Sequence, residues 1–212
     1  MNKKIRLYFS DKIQSDLMAH LTKDQSHYLK DVMRLKVGDT LSIFNNEGEW
    51  KASIQNFEKQ AVKIKILEKL RDQKNERNIW LAFTPIKQNS LNFIIQKGTE
   101  LGVQKFIPIL SERTAVKEIN IKRIKKIIIE SAEQSNRISV PEITTLETLK
   151  KFISNFPEKG CLIFCDINCD QSDLKKILSK KNLETICILV GPEGDFSENE
   201  RNLITNLEQS KS

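Results

Sequence analysis

The feature that most constrains this chain is a change of rhythm near residue 71. Before it, apolar residues come in short alternating runs, IRLYF, TLSIF, EWKASI and AVKIKIL. One capped stretch interrupts them from Thr22 to about Met33, where Thr22 and Gln25 have capping-box spacing. Val37-Gly38-Asp39 and Asn45-Asn46-Glu47-Gly48 supply turns, so residues 1–70 are predicted to form a small β-rich module. RDQKNER at 71–77 has no apolar anchor and reads as a surface linker. After it the runs alternate in kind: NIWLAF, Ser90 to Leu101, KFIPIL, Asn120 to about Arg137, Leu146 to Phe156, CLIFC, Asp170 to Ser179, TICILV, Ser197 to Leu207. Near-continuous apolar strands alternating with helix-length segments predict an α/β domain around a parallel sheet over 78–212.

Composition narrows the class of function. Of 212 residues, 39% are hydrophobic and 30% charged, a balance that suits a soluble globular protein. No apolar run approaches the ~20 residues of a membrane span, and the start MNKKIRLYF is too charged for a signal peptide. A cytoplasmic protein without a membrane partner is expected. Thirty-five basic against twenty-eight acidic side chains leave +7, which favours a polyanionic partner, although richness in Lys, Ile and Asn also follows from AT-rich coding. Cys161, Cys165, Cys169 and Cys187 show no C-x-x-C spacing and lie far from His20 and His27, so no metal site is expected.

The sharpest local motif is VGPEGDFSENE at 190–200, between an apolar strand and a helix whose Ser197 and Glu200 form another capping box. Gly191 and Gly194 are expected to allow unusual backbone angles and close ligand approach, and Pro192 to stiffen the loop. Strand, glycine loop and helix is where open α/β sheets bind ligands, though Gly-Pro-x-Gly also makes an ordinary tight turn. The dinucleotide fingerprint and the triphosphate-binding loop are both absent, as is a convincing Ser-His-Asp or Cys-His set.

A second, polar constellation comprises KGTELGV at 97–103, SERT at 111–114 and ESAEQSNRISVP at 130–141. Glu100, Glu112, Arg113, Glu133, Gln134 and Arg137 fall at strand ends or in last helical turns, where side chains meet ligands, though the helix dipole alone favours Arg137. Lys122, Arg123, Lys125 and Lys126 form a basic helical face suited to phosphates or to water. In the first module Arg6, His27, Arg34 and Lys36 are similar candidates. Tyr8 and Phe9 are possible stacking platforms, of which one is expected in the core because they alternate along a strand.

Taken in order, HYLKDVMRLKVGD, AFTPIK, QKGTELGV, PILSERT, ESAEQSNRISVP and VGPEGDFSENE resemble the RsmE family of small-subunit (16S) ribosomal RNA uridine methyltransferases, from about residue 5 to the end. The resemblance implies a PUA-like RNA-binding barrel followed by a SPOUT-type domain with a trefoil knot. It also implies a homodimer, S-adenosylmethionine as cofactor, and N3 of a 16S rRNA uridine as acceptor. Cys165, Asp166, Leu189, Val190, Gly191, Pro192, Glu193 and Gly194 would then surround the cofactor. Arg6, His27, Arg34, Lys97 and Arg123 would meet RNA.

A sulfonium methyl is already electrophilic, so the protein must chiefly align donor and acceptor and exclude water. Arg113 or Arg137 would stabilise the anion developing on the uracil carbonyls, and Glu193 or Glu133 would take the N3 proton. A target uridine must be unstacked to reach the methyl. Three departures from the family pattern stand out. Asp195 occupies a usual glycine and is expected to narrow or recharge the pocket mouth, and PIKQNS lacks the usual KGD-like turn. No segment resembling LG-x-RILR-x-ETA follows the last helix, so a carboxyl-terminally incomplete domain with weak cofactor binding is expected. A binding-only RNA protein, or a SPOUT methyltransferase acting on tRNA, are the alternatives.

Overall fold

The structure, a computed structural model, describes residues 5–59, 61–74, 76–166, 183–208 and 210–211. The expected helix from Asp170 to Ser179 and Cys169 lie outside the described residues. The chain divides into two compact units, one of residues 1–75 with 132–140 and one of residues 76–131 with 141–212.

In the first unit a five-stranded sheet runs in the order β1 (Arg6–Tyr8), β3 (Thr40–Asn45), β4 (Gly48–Phe57), β5 (Val62–Asp72), β2 (Met18–His20). Only β1 and β3 pair in parallel. Period-two burial marks β5 and the middle of β4, where Ala52, Ile54, Ile64 and Ile66 are fully buried, whereas Leu41 to Asn45 of β3 are all buried. Phe9 is in this core, while Tyr8 is half-buried with its ring edge-on to Phe44. β2 escaped the sequence reading because only Ala19 of its three residues is buried. The stretch from Thr22 is helical as expected, with both halves of the capping box closed over α1 (Lys23–His27). It continues as a single π-helical turn over Tyr28–Val32 that buries Leu29. Arg71 and Asp72, assigned to the linker from sequence, extend β5 instead.

A buried charge cluster organises this unit. Arg6 is 8% exposed, and its Nε donates to Glu49 Oε1 at 3.1 Å. Arg71 holds the other Glu49 oxygen. The remaining Arg6 nitrogens donate to the carbonyls of Ala132, Glu133 and Arg137, at and beyond the carboxyl end of α3 (Ile121–Gln134), where backbone acceptors lack helical partners. Tyr8 N donates to Glu133 Oε1 at 2.8 Å, Arg71 to Asn136 O, and Val140 N to Asn46 Oδ1. These bonds are why 132–140 belongs with the first unit, although the sequence rhythm assigned it to the second domain. They also correct the reading of Arg6 as an RNA contact, since its donors are spent inside the protein.

The second unit is built on a parallel sheet in the order β12 (Ser210–Lys211), β10 (Gly160–Phe164), β11 (Thr185–Val190), β6 (Ile79–Phe83), β7 (Lys105–Leu110), β8 (Glu142–Ile143). β9 (Glu147–Thr148) pairs with β7 off that path. Helices α2 (Gln88–Glu100), α4 (Leu149–Ser154) and α5 (Glu198–Thr205) fall between strands, and α2 ends at Gly102, whose φ of 102° only glycine adopts freely. The core combines Ala82, Ile109, Leu162, Phe164, Cys187 and Leu189 with Phe152, Phe196 and Ile204. Two differences from the sequence reading stand out. The expected helix from Leu146 is shorter because β9 takes its first residues, and β12 follows α5 to pair with β10.

Arg6→Ala should lower unfolding free energy by about 3 kcal/mol, because it leaves buried Glu49 with Arg71 alone and takes the side-chain donor from the Glu133 and Arg137 carbonyls. Burial alone would raise the Glu49 pKa, but Arg6 and Arg71 outweigh it and hold the carboxyl below its ordinary 4.5. The stabilisation is therefore present above pH 4.5 and lost as pH falls through the depressed folded value. Denaturant titrations over that range should show a loss in the parent chain that Glu49→Gln lacks.

Candidate functional site

Because β10, β11, β6 and β7 run in one direction, their carboxyl ends deliver four loops to one edge of the sheet. These are Thr84 after β6, Ser111–Thr114 after β7, Cys165–Asp166 after β10 and the glycine loop at 191–196 after β11. Backbone bonds knit them together: Thr84 N donates to Val190 O at 3.2 Å and Cys165 N to Leu189 O at 3.0 Å.

The glycine loop obeys a different logic from the one its sequence suggests. Neither Gly191 nor Gly194 has a positive φ. Gly191 is required by packing, since a Cβ there would lie 2.8 Å from the Phe196 ring. A Cβ at Gly194 would meet only Arg113 Cδ, at 3.8 Å, which leaves open space beside the loop. The left-handed residue is Asp195, φ 59°, which explains in physical terms why glycine is usual at that place. Its carboxylate, expected to narrow or recharge the pocket mouth, is hydrogen-bonded within the loop and to α5. Oδ1 accepts from Phe196 N at 2.8 Å, and Oδ2 accepts from Arg201 at 3.0 Å.

Three side chains staple the loops. Glu200 is 6% exposed: one oxygen completes the capping box at Ser197 N, the other accepts from Glu112 N at 2.9 Å. Arg113 Nη1 donates to Gly194 O at 2.7 Å. Arg201 clasps Asp166 with two bonds, of 2.9 and 2.6 Å. Within the SERT turn, Ser111 N and Oγ both lie 2.8 Å from the hydroxyl of buried Thr114.

The residues singled out from sequence thus separate into groups. Arg113, Cys165, Asp166, Leu189, Val190, Gly191, Pro192, Glu193 and Gly194 come together at the sheet edge. Leu189 is fully buried, so it offers backbone only, whereas Val190 and Glu193 are exposed. Glu133 and Arg137 belong to the first unit, where the Glu133 carboxylate holds Tyr8 N and Arg137 reaches Ser139. His27 pairs with Asp31 at 2.6 Å, Lys97 with Glu100 at 2.7 Å, and Arg34 and Arg123 are exposed. Burial pushes the Cys187 thiol up to about 12, which marks it as a core residue. Among the described residues no cluster of His, Cys, Asp or Glu is arranged for a metal.

Three participants were missed. Arg201 gave no signal, because it lies inside a helix and its partners come from two separate loops. Glu200 was legible as a cap but not as a staple. Thr84 is 2% exposed and its hydroxyl has no protein partner, an exception among buried polar groups that only the folded chain reveals.

Comparison with known proteins gives this geometry a context. Residues 73–211 match a family model described as RNA methyltransferase domain, and residues 21–67 one described as RNA methyltransferase PUA domain. The ribosomal RNA small subunit methyltransferase E of Rickettsia conorii is 30% identical over 210 residues, covering 98% of this chain and 85% of that protein. Among solved structures, a putative methyltransferase from Legionella pneumophila with bound S-adenosylmethionine superposes with a TM-score of 0.86 at 26% identity, over 98% of this chain and 88% of that one. The small subunit methyltransferase E of Neisseria gonorrhoeae, also bound to S-adenosylmethionine, gives a TM-score of 0.86 at 25% identity, over 98% and 87%. The fold expected from sequence, a PUA-like domain followed by a SPOUT-type parallel-sheet domain, matches these proteins, and the chain belongs to the ribosomal RNA small subunit methyltransferase E family.

Proposed function

We propose that this chain transfers a methyl group from S-adenosylmethionine to N3 of a uridine in 16S ribosomal RNA, acting as a cytoplasmic homodimer on the small ribosomal subunit. The observation that carries the reading is the edge where four strand ends meet around the glycine loop, in a chain of this family. The residues fit the cofactor. Space lies open beside Gly194, and the buried Thr84 hydroxyl, unpartnered at the end of β6, is a polar group in want of a ligand. Backbone groups of Leu189 to Gly194 and of Cys165 and Asp166 would hold it, and when bound it supplies an electrophilic methyl.

The chain's own residues then have defined tasks. Arg113, fixed on the Gly194 carbonyl, sets a positive charge beside the loop, where it stabilises the anion formed as the uracil N3 proton leaves. Glu193, exposed on the same loop, takes that proton. Glu133, the other candidate base, is engaged with Tyr8 N, and Arg137 remains the second candidate cation. The exposed basic side chains His27, Arg34 and Arg123, and the half-buried Lys97, are the side chains that meet RNA phosphates. No helix among the described residues is long and apolar enough to cross a membrane.

Incubating the chain with S-adenosylmethionine and small subunits lacking the modification should yield 3-methyluridine by nucleoside mass spectrometry. Glu193→Gln should reduce kcat about a hundredfold with little change in S-adenosylhomocysteine affinity. No product and no cofactor binding would leave the RNA-binding-only alternative. Thr84→Val supplies an independent check. Replacing an unpartnered buried hydroxyl by an isosteric methyl should leave the free protein as stable or more so, while S-adenosylhomocysteine binds about tenfold more weakly by calorimetry. Unchanged affinity would remove Thr84 from the site.

A further inference from the structure

Arg201 joins the end of β10 to the glycine loop. Its Nη1 and Nη2 hold both oxygens of Asp166, and Nη1 also reaches Asp195. The Asp166 side chain is only 6% exposed, and a carboxylate that buried must be matched by charge. Asp195 stands at φ 59°, which glycine adopts freely and aspartate adopts only with compensating hydrogen bonds. Asp195 has that compensation: one carboxylate oxygen accepts from Phe196 N and the other from Arg201. A planar guanidinium spans both carboxylates at once, which a lysine ammonium on a flexible stem does poorly. Arg201 is anchored in turn, because α5 starts at the Ser197 cap and Arg201 N donates to Ser197 O at 2.8 Å.

We infer that Arg201 is a positioning residue for the cofactor site: through Asp166 and Asp195 it fixes the spacing between the end of β10 and the glycine loop. The Asp195–Arg201 pair does here what a glycine would do alone. Asp166 and Asp195 accordingly serve the ligand through their backbone, their carboxylates being committed to the clasp. The inference rests on the cofactor reading above for its functional consequence, but its structural half stands apart from it.

Three measurements on the full chain separate them. In the unliganded protein, Arg201→Ala should speed amide hydrogen exchange over residues 190–196 while β6 and β7 keep their protection, with Arg201→Lys intermediate. By calorimetry, Arg201→Ala should weaken S-adenosylhomocysteine binding about tenfold, and adding Asp195→Gly should recover a large part of it. In turnover the loss should appear in KM, with kcat at saturation within about twofold of the parent. Unchanged loop exchange in both variants overturns the inference whatever the cofactor does. A fall in thermal stability with unchanged affinity leaves Arg201 as a fold residue only, which also overturns it. Faster loop exchange in Arg201→Ala, with a parent chain that takes up no S-adenosylhomocysteine, defeats the cofactor reading and leaves the clasp standing.

Discussion

Parallel strands cannot be joined by tight turns, because each return to the starting edge needs a crossover of about a dozen residues or more. That constraint governs the second unit. With β10, β11, β6 and β7 all parallel, Thr84, the SERT turn, Cys165–Asp166 and the glycine loop are delivered to one edge whatever their own sequences prefer. Loops brought together this way have no ladder between them. Side chains add to the backbone bonds that Thr84 and Cys165 make to β11: Glu200 to the SERT turn, Arg113 to Gly194, and Arg201 to Asp166 and Asp195.

Charge is used in both units more for construction than net charge implies. Arg6 with Glu49 and Arg201 with Asp166 are arginine–carboxylate pairs in which the carboxylate side chain is 5% and 6% exposed. In each case the guanidinium reaches further groups: α3-end carbonyls for Arg6, Asp195 for Arg201. Arginine suits these places because its donors are fixed in a plane and serve several acceptors at once. The exposed Lys122, Arg123, Lys125 and Lys126 of α3 remain as a solvent-facing basic stripe, with Ile124 and Ile128 buried opposite.

How far the sequence could be read depended on whether the cause was local. Capping boxes at Thr22 and Ser197, the stop at Gly102, the period-two burial in β4 and β5 and the alternation of strands and helices in the second unit are set within a few residues of chain, and all were visible there. The π turn after α1 and the brief β2 were not, since each is settled by what it packs or pairs against. Gly191 illustrates a middle case. Its identity was legible as significant, but the reason, a phenylalanine ring lying against its Cα, is not encoded in the neighbouring turn residues.

By itself, then, the sequence determined the two kinds of architecture, the place of the glycine loop between strand and helix, and through its ordered motifs the family. Tertiary structure alone decided which charges are tools and which are struts. The charges of Arg6 and Asp166 look free along the chain, yet their partners lie 43 and 35 residues away and meet those charges inside the protein. Thr84 looks unremarkable in the sequence and becomes a buried hydroxyl without a partner. The physical reason is common to all three: hydrogen-bond satisfaction is a property of position in space, and a linear pattern of residue types carries it only when donor and acceptor are close neighbours along the chain.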